Sequence, residues 1–325
     1  MSLQPATARA GANIALVKYW GKRDSGLNLP AAGSISITLA ELETQTTVAP
    51  MADLSDDRLE LDGQSADPAR IRPVLDRFRA RSGVDARCRV ETRNNFPTGA
   101  GLASSASGFA ALVTAADAAF ATGLDERGLS IEARLGSGSA ARSIFGGFVE
   151  MASGTRVDGS DAHASALADA PHWPLEVVVA ITTRQAKAVA STEGMNHTMS
   201  TSPYYPAWLS GMDADLEQAR NAIARRDFEQ LVAVTESSAL KMHASALAAQ
   251  PGILYWHAAT VACLHEIRSM RLAGTGVCFT VDAGPQVKAV CLPGQGKRVA
   301  RRLADIDGVE QVVQARLGPG AEVVS

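Results

Sequence analysis

NNFPTGAGLASSASG, residues 94–108, decides how this chain is read. It follows an alternating, β-branched segment at 87–92 and precedes an alanine-dominated run that reaches about Ala121 and closes at Gly123. The expected order is therefore strand, glycine-rich turn, long helix. Gly99 and Gly101 let the backbone approach a ligand, and the helix behind them offers unpaired N–H groups and the positive end of its dipole to an anion. Ser104, Ser105 and Ser107 add hydroxyls for phosphate oxygens or a metal-bound water. The segment reads as a nucleotide phosphate loop. It is not of the Walker type, since no Gly-Lys-Ser/Thr occurs, nor the glycine-rich hairpin of protein kinases. The same composition also suits a small-residue helix packed tightly against a sheet.

Outward from this segment the chain alternates two periods. Residues 34–39 (SISITL) and 45–48 are β-branched and alternating, and read as strands. Residues 67–80 place Ile71, Val74, Leu75 and Phe78 at helical spacing, with Asp67 as N-cap and Pro68 at the first helical position. Residues 175–182 read as a buried strand. Beyond Pro206 the pattern turns helical, over 208–249 and 253–272, with a break at Pro251 and Gly252. Strand, strand, helix and strand follow at 276–281, 286–292, 294–306 and 309–315. Helices on one face of an antiparallel sheet, an α+β arrangement, fit this order. The expected division is an N-terminal lobe over 1–185 and a C-terminal lobe over 186–325.

Composition narrows the function. With 325 residues, two domains are the prior, each large enough for its own core. Hydrophobic residues at 46% and charged residues at 20% belong to a folded globular chain. A net charge of -3 without a block of like charges argues against nucleic acid and anionic membranes as partners. No apolar run approaches the roughly 18 residues of a membrane span, and residues 1–10 lack an apolar signal region, so a cytoplasmic location is expected. Cys88, Cys263, Cys278 and Cys291 form no CxxC, and the six histidines form no HExxH or HxxxH pair. Neither a disulfide framework nor a structural zinc site is expected.

Three further segments bear on chemistry. Residues 136–142 (GSGSAAR) imitate a dinucleotide fingerprint, but 130–135 ahead of them read as helix, not strand, so that reading fails. A serine-rich turn remains, ending in Arg142, whose guanidinium suits a bidentate grip on carboxylate or phosphate; the plainer alternative is a surface salt bridge. In residues 12–22 (ANIALVKYWGK), the run IALV predicts a buried strand from whose end Lys18 emerges, a costly place for a lysine without a partner. Residues 280–285 (TVDAGP) put Asp282 between a strand and a Gly-Pro turn, where a carboxylate serves either chemistry or the turn itself. The hydrolase elbow GxSxG is absent.

Taken in order, ANIALVKYWGK, NLP followed by SISITL, NNFPTGAGLASSASG, GSGSAARSIFGGF, STEGM and DAGP resemble the diphosphomevalonate decarboxylase family of the GHMP kinase superfamily, over nearly the whole chain from residue 12 to GPGA at 318–321. The resemblance implies a two-lobed α+β fold, an N-terminal α/β lobe and a ferredoxin-like C-terminal lobe, with the active site in the cleft between them. It also implies ATP and Mg2+, mevalonate 5-diphosphate as substrate, and a homodimer. ATP would phosphorylate the tertiary 3-hydroxyl, after which phosphate and carbon dioxide leave to give isopentenyl diphosphate.

Residue roles carried over by the resemblance are these. Asp282 matches the catalytic aspartate that accepts or orients the hydroxyl proton, Lys18 the lysine beside it, and Arg142 the arginine that grips the substrate carboxylate. Tyr19, Trp20, Gly21, Lys22, Ser137, Gly138, Ser139, Ala140, Ala141, Ser191, Thr192 and Met195 match positions around the substrate and its phosphates, and Arg70 a further substrate-binding arginine. Asn94, Gly99, Ala100, Gly101, Leu102, Ala103, Ser104, Ser105 and Ser107 match the ATP loop, with Ser107 also meeting the metal of Mg-ATP. The chain departs from the family pattern at Ala31-Ala32-Gly33, where asparagine and serine are usual, at Gly99 for alanine, and at Gln286 for asparagine. These departures leave the charged groups in place but touch cleft loops. Related activities on the same fold are a phosphomevalonate decarboxylase and a mevalonate 3-kinase; a ligand sensor without turnover is the reading from another class.

Overall fold

The computed structural model describes residues 3–96, 104–185 and 187–324. The N-terminal half opens with strand β1 (Ala6–Val17), a small ribbon of β2 (Lys22–Asp24) and β3 (Leu29–Pro30), and the 18-residue strand β4 (Ser34–Met51). The segments expected as two strands at 34–39 and 45–48 are one continuous strand. Strands β5 (Arg58–Leu61) and β6 (Gln64–Ala66), helix α1 (Arg72–Ser82), strand β7 (Arg87–Asn94) and helices α2 (Ser104–Phe120), α3 (Glu126–Gly136) and α4 (Ala140–Ser143) follow. Strands β8 (Phe148–Met151), β9 (Ala164–Ala168) and β10 (Glu176–Ile181) complete this half. The second half runs through helices α5 (Ser191–Thr201), α6 (Tyr205–Ser210), α7 (Met212–Arg225), α8 (Phe228–Leu247) and α9 (Ala258–Leu272). It ends with strands β11 (Val277–Val281) and β12 (Val287–Cys291), helix α10 (Gly296–Ala304), and strands β13 (Gln311–Arg316) and β14 (Glu322–Val324).

Among the described residues two main sheets form, an eight-stranded one with the path β14-β1-β4-β7-β5-β6, to which β8 and β9 attach through β4, and a four-stranded one ordered β11-β12-β10-β13. β10 therefore belongs to the second sheet, ahead of the boundary expected at residue 185. The chain also returns at its end to the first sheet, where β14 pairs with β1. This is the expected two-lobed α+β class.

Three helical expectations are corrected. The helix expected over 67–80 is split, because Pro73 has no N–H to give and its ring collides with the carbonyl four residues back. Asp67 does cap, accepting from the Ala69 N–H, but what it caps is a 3-10 turn at Pro68–Arg70, and α1 restarts with Pro73 in its first turn. The helix expected from 253 begins only at Ala258: Ile253 and Tyr255 instead bury their side chains in the central core from non-helical backbone. The helical stretch over 208–249 is broken at Gly211 and at Arg226, which takes a left-handed conformation before the Asp227 cap of α8.

The core explains the layering. α1, α2 and α3 cover one face of the first sheet through Val74, Leu75, Phe78, Leu112, Val113 and Ala133. α2 is small-residued where it lies on β1 and β4, as the packing reading of its composition expects. On the other face, Ile14, Leu16, Ile35 and Ile37 join Val177 and Val179 of β10, Leu216 of α7 and Leu231 of α8 in one cluster spanning both halves. Val178 and Ala180 point the opposite way, to α9 and α10. β10 is apolar along its length because both its faces are buried.

Candidate active site

The site is built where β1 ends against the β11–β12 hairpin. β1 is buried from Ala10 through Val17, and Lys18 follows with 1% of its surface exposed. Its Nζ donates to Asp282 Oδ1 at 2.6 Å and to the Ala15 carbonyl at 2.8 Å, while its backbone N–H donates to Ser238 Oγ. Asp282 is the first residue past β11, where the Gly284 N–H turns back onto the Asp282 carbonyl. From β12, Lys288 brings its Nζ to 3.1 Å from Asp282 Oδ2. Burial opposes ionisation of Asp282, but the charges and hydrogen bonds of Lys18 and Lys288 outweigh it and hold the carboxyl well below the usual carboxylate range. Burial pushes Lys18 the other way, down to about 8, against the pull of Asp282 and helped by repulsion from Lys288 and Arg142. The partner that Lys18 needed is thus Asp282, and the carboxylate is no mere turn residue.

Arg142 is the second anchor. It sits in the single turn α4, 2% exposed, and donates to Ser34 Oγ at 2.7 Å and to Asn13 Oδ1 at 3.0 Å. The surface salt bridge considered for it does not form, because the guanidinium is buried; it lies 5.9 Å from the centre of the Tyr19 ring. Asn13 is held in turn by the Ser139 carbonyl and Ser143 Oγ. Burial lowers Arg142 to about 10, so it stays charged at neutral pH. Arg142 Nε and the Tyr19 hydroxyl are buried without a hydrogen-bond partner among the described residues. Such groups are costly unless a ligand meets them. Gly138 is required for this packing: a Cβ there would fall 2.3 Å from the Tyr19 hydroxyl.

Opposite stands the start of α5. Lys187 donates to Ser191 Oγ at 2.6 Å and to the Ala283 carbonyl at 2.9 Å, tying the segment before α5 to the Asp282 turn. Lys22 donates to Asn28 Oδ1 at 2.6 Å and to Thr192 Oγ1 at 3.3 Å. Burial lowers the pKa of both lysines. Arg70, the last residue of the 3-10 turn, lies over the Phe109 ring at 5.6 Å.

These side chains enclose a cavity of about 400 Å³, whose described lining carries Lys18, Lys22, Arg70, Arg142 and Lys187 as cations against Asp282 as the single carboxylate. Such an imbalance calls for an anionic ligand. Of the positions expected from the sequence, Tyr19, Trp20, Ser104, Ser105, Ser137, Gly138, Ser139, Ser191, Thr192 and Met195 line the same cavity. Gly21 adjoins it, with φ +102° and the Tyr205 hydroxyl where a Cβ would stand. Like Gly21, four further expected positions do not line it. Ala140 and Ala141 are buried within α4. Ser107 is fully buried with its Oγ 2.6 Å from Thr44 Oγ1, and Asn94 accepts from that same Thr44 hydroxyl and turns toward Asp62. Gly99, Ala100, Gly101, Leu102 and Ala103 lie outside the described residues.

The sequence reading missed Asn13, Asn28, Lys187 and Lys288. Only Lys288 carried a signal, a lysine inside a segment expected as a strand and flanked by apolar residues. No group of three or more His, Cys, Asp or Glu side chains converges among the described residues. With Asp282 alone available in the cavity, the donor set fits Mg2+ arriving on nucleotide phosphates, the usual mode for that ion, and not a dedicated protein cage. No described helix is long and apolar enough to cross a membrane.

Comparison with known proteins agrees with the geometry. Residues 10–164 match the diphosphomevalonate decarboxylase-like N-terminal domain, and residues 177–316 the mevalonate 5-diphosphate decarboxylase C-terminal domain. The chain is 34% identical over 355 residues to the diphosphomevalonate decarboxylase of Candida albicans, covering 98% of each. The mevalonate diphosphate decarboxylase of Enterococcus faecalis, studied for mevalonate diphosphate mediated ATP binding, superposes with a TM-score of 0.90 at 35% identity over 100% of both chains. A structure of MDDEF in complex with MVAPP, AMPPCP and magnesium superposes at 0.92, again with 35% identity over 100% of both chains.

Proposed function

The chain belongs to the diphosphomevalonate decarboxylase family, and from that premise we propose how its cleft performs the family's reaction. The reaction is the ATP- and Mg2+-dependent conversion of mevalonate 5-diphosphate to isopentenyl diphosphate, with release of ADP, phosphate and carbon dioxide. Mg-ATP supplies the phosphoryl group, which turns a poor tertiary leaving group into a good one; Ser104 and Ser105, in the first turn of α2, are the described residues that would meet its phosphates.

The observation that carries the residue assignment is the carboxylate of Asp282 held between two ammonium groups in a cavity whose other charged lining residues, among those described, are all cations. Asp282 stays ionised at any working pH and accepts the hydrogen of the 3-hydroxyl. As so weak a base it orients that hydroxyl first, and it receives the proton only as the new O–P bond makes the oxygen acidic. Lys18 offsets the carboxylate's charge and limits its movement. Arg142, with Nε free of hydrogen-bond partners among the described residues, takes the substrate carboxylate and keeps it beside the carbon that loses phosphate. Lys22, Arg70 and Lys187 take the diphosphate and the transferring phosphoryl group. Positioning and preorganised charge supply the acceleration.

The test compares mevalonate, its 5-phosphate and its 5-diphosphate with ATP and Mg2+, following ADP and carbon dioxide together. Equal amounts of both with the diphosphate alone are expected. ADP without carbon dioxide identifies a 3-kinase, and preference for the monophosphate refutes the diphosphate assignment. We further propose a homodimer, from the family resemblance, to be checked by sedimentation. A cytoplasmic location is also proposed; four buried cysteines, all free, are compatible with a reducing compartment.

A further inference from the structure

Lys288 lies in β12, a strand buried at every position, and its side chain is 2% exposed. A methionine or leucine would fill that volume, so an ammonium group here is costly unless its charge is used. Register explains where it points. Lys288 pairs across the hairpin with Thr280, whose hydroxyl donates to the Ala15 carbonyl, the same carbonyl that receives Lys18 Nζ. The hairpin therefore presents Thr280 and Lys288 to the end of β1, and Lys288 reaches the oxygen of Asp282 that Lys18 leaves open.

We propose that Lys288 is a positioning residue for the reaction: it fixes the second oxygen of Asp282 in one orientation and adds a second positive charge behind the Lys18–Asp282 pair. This deepens the function proposed above and rests on it. One oxygen is held by each lysine, which opposes rotation of the carboxylate, and Asp282 lines the cavity. The charges facing Asp282 are Lys18 from the end of β1, Lys288 from β12, Lys187 from the segment before α5, and Arg142 from α4; His243 of α8 stands behind, bonded to the Val281 carbonyl. Lys288 repels the ammonium of Lys18 and so helps to lower its pKa.

Lys288→Met removes the charge and keeps the bulk. Lys18 then loses a repelling neighbour and has Asp282 to itself, so its pKa rises. The expected result is a kcat reduced about tenfold or more and an alkaline limb of the kcat/KM profile displaced upward by about half a pH unit or more. Lys288→Arg, which keeps the charge, is expected to hold the limb near the wild-type position. Should Lys288→Met not fold, Lys288→Gln is read in the same way. An unmoved alkaline limb in the neutral variant, with or without a loss of rate, overturns the proposal, as does an Arg variant whose limb moves like that of Met. A wild-type chain inactive on mevalonate 5-diphosphate would refute the underlying function instead, so the two failures are distinguishable.

Discussion

His243 holds the backbone beside Asp282, the proposed catalytic carboxylate, from outside the described lining of the cavity. It is 2% exposed, its Nε2 hydrogen-bonds the Val281 carbonyl one residue before Asp282, and its ring packs against Tyr255 and Trp256. Burial, with the charge of Lys18 adding repulsion, pushes its pKa down to about 3. A depressed pKa means that the unfolded chain takes up a proton that the folded chain refuses. The contribution to stability is therefore whole above pH 6.5 and is lost as the pH falls toward 3, at about 1.4 kcal/mol per unit. Between pH 7 and pH 5, His243→Gln, which keeps an N–H donor, is expected to lose about 2 kcal/mol less than the wild type in urea unfolding. Parallel losses would remove His243 from the acid response. Lys18, Asp282 and Arg142 were legible at this scale because each stands in a short motif with its own local signal. Asn13 and His243 were not, since their meaning lies in partners far along the chain.

The elements were legible in kind and less so in extent. β10 is recognisable from EVVVAI as a strand buried on both faces, but apolar continuity cannot say which sheet it joins; pairing with β12 and β13 decides that. Pro73 had already marked the break in the helix expected over 67–80, and periodicity alone overrode it. Gln286, a departure from the family pattern, has a definite task between elements. Its side chain accepts from the Thr182 N–H and donates to the Thr183 carbonyl, both at 2.6 Å, so it clamps the end of β10 and the base of the segment bearing Lys187 to the Asp282 turn. Gln286→Ala leaves the buried Thr182 N–H without that partner. It is expected to cost about 2 kcal/mol in chemical unfolding and to raise the KM for mevalonate 5-diphosphate, by loosening Lys187. Wild-type stability and KM together would show that the clamp is dispensable.

For the whole molecule, the proposed catalytic pair is also a joint. Lys18 and Asp282 are 264 residues apart, one closing the first strand of the N-terminal sheet and the other opening the turn of the C-terminal hairpin. The cleft exists because a single apolar cluster brings both halves together beneath it. Its existence was implied by the family resemblance that the motifs carry. The way Lys288 completes the carboxylate's surroundings was not, because strand alternation places a lysine on a face without saying what that face meets. The most direct test of the account is ADP and carbon dioxide release from mevalonate 5-diphosphate by Asp282→Asn, measured beside ATP affinity. A fall in kcat of about three decades in both products, with ATP affinity little changed, is the expected result. A variant within tenfold of the wild type would contradict it.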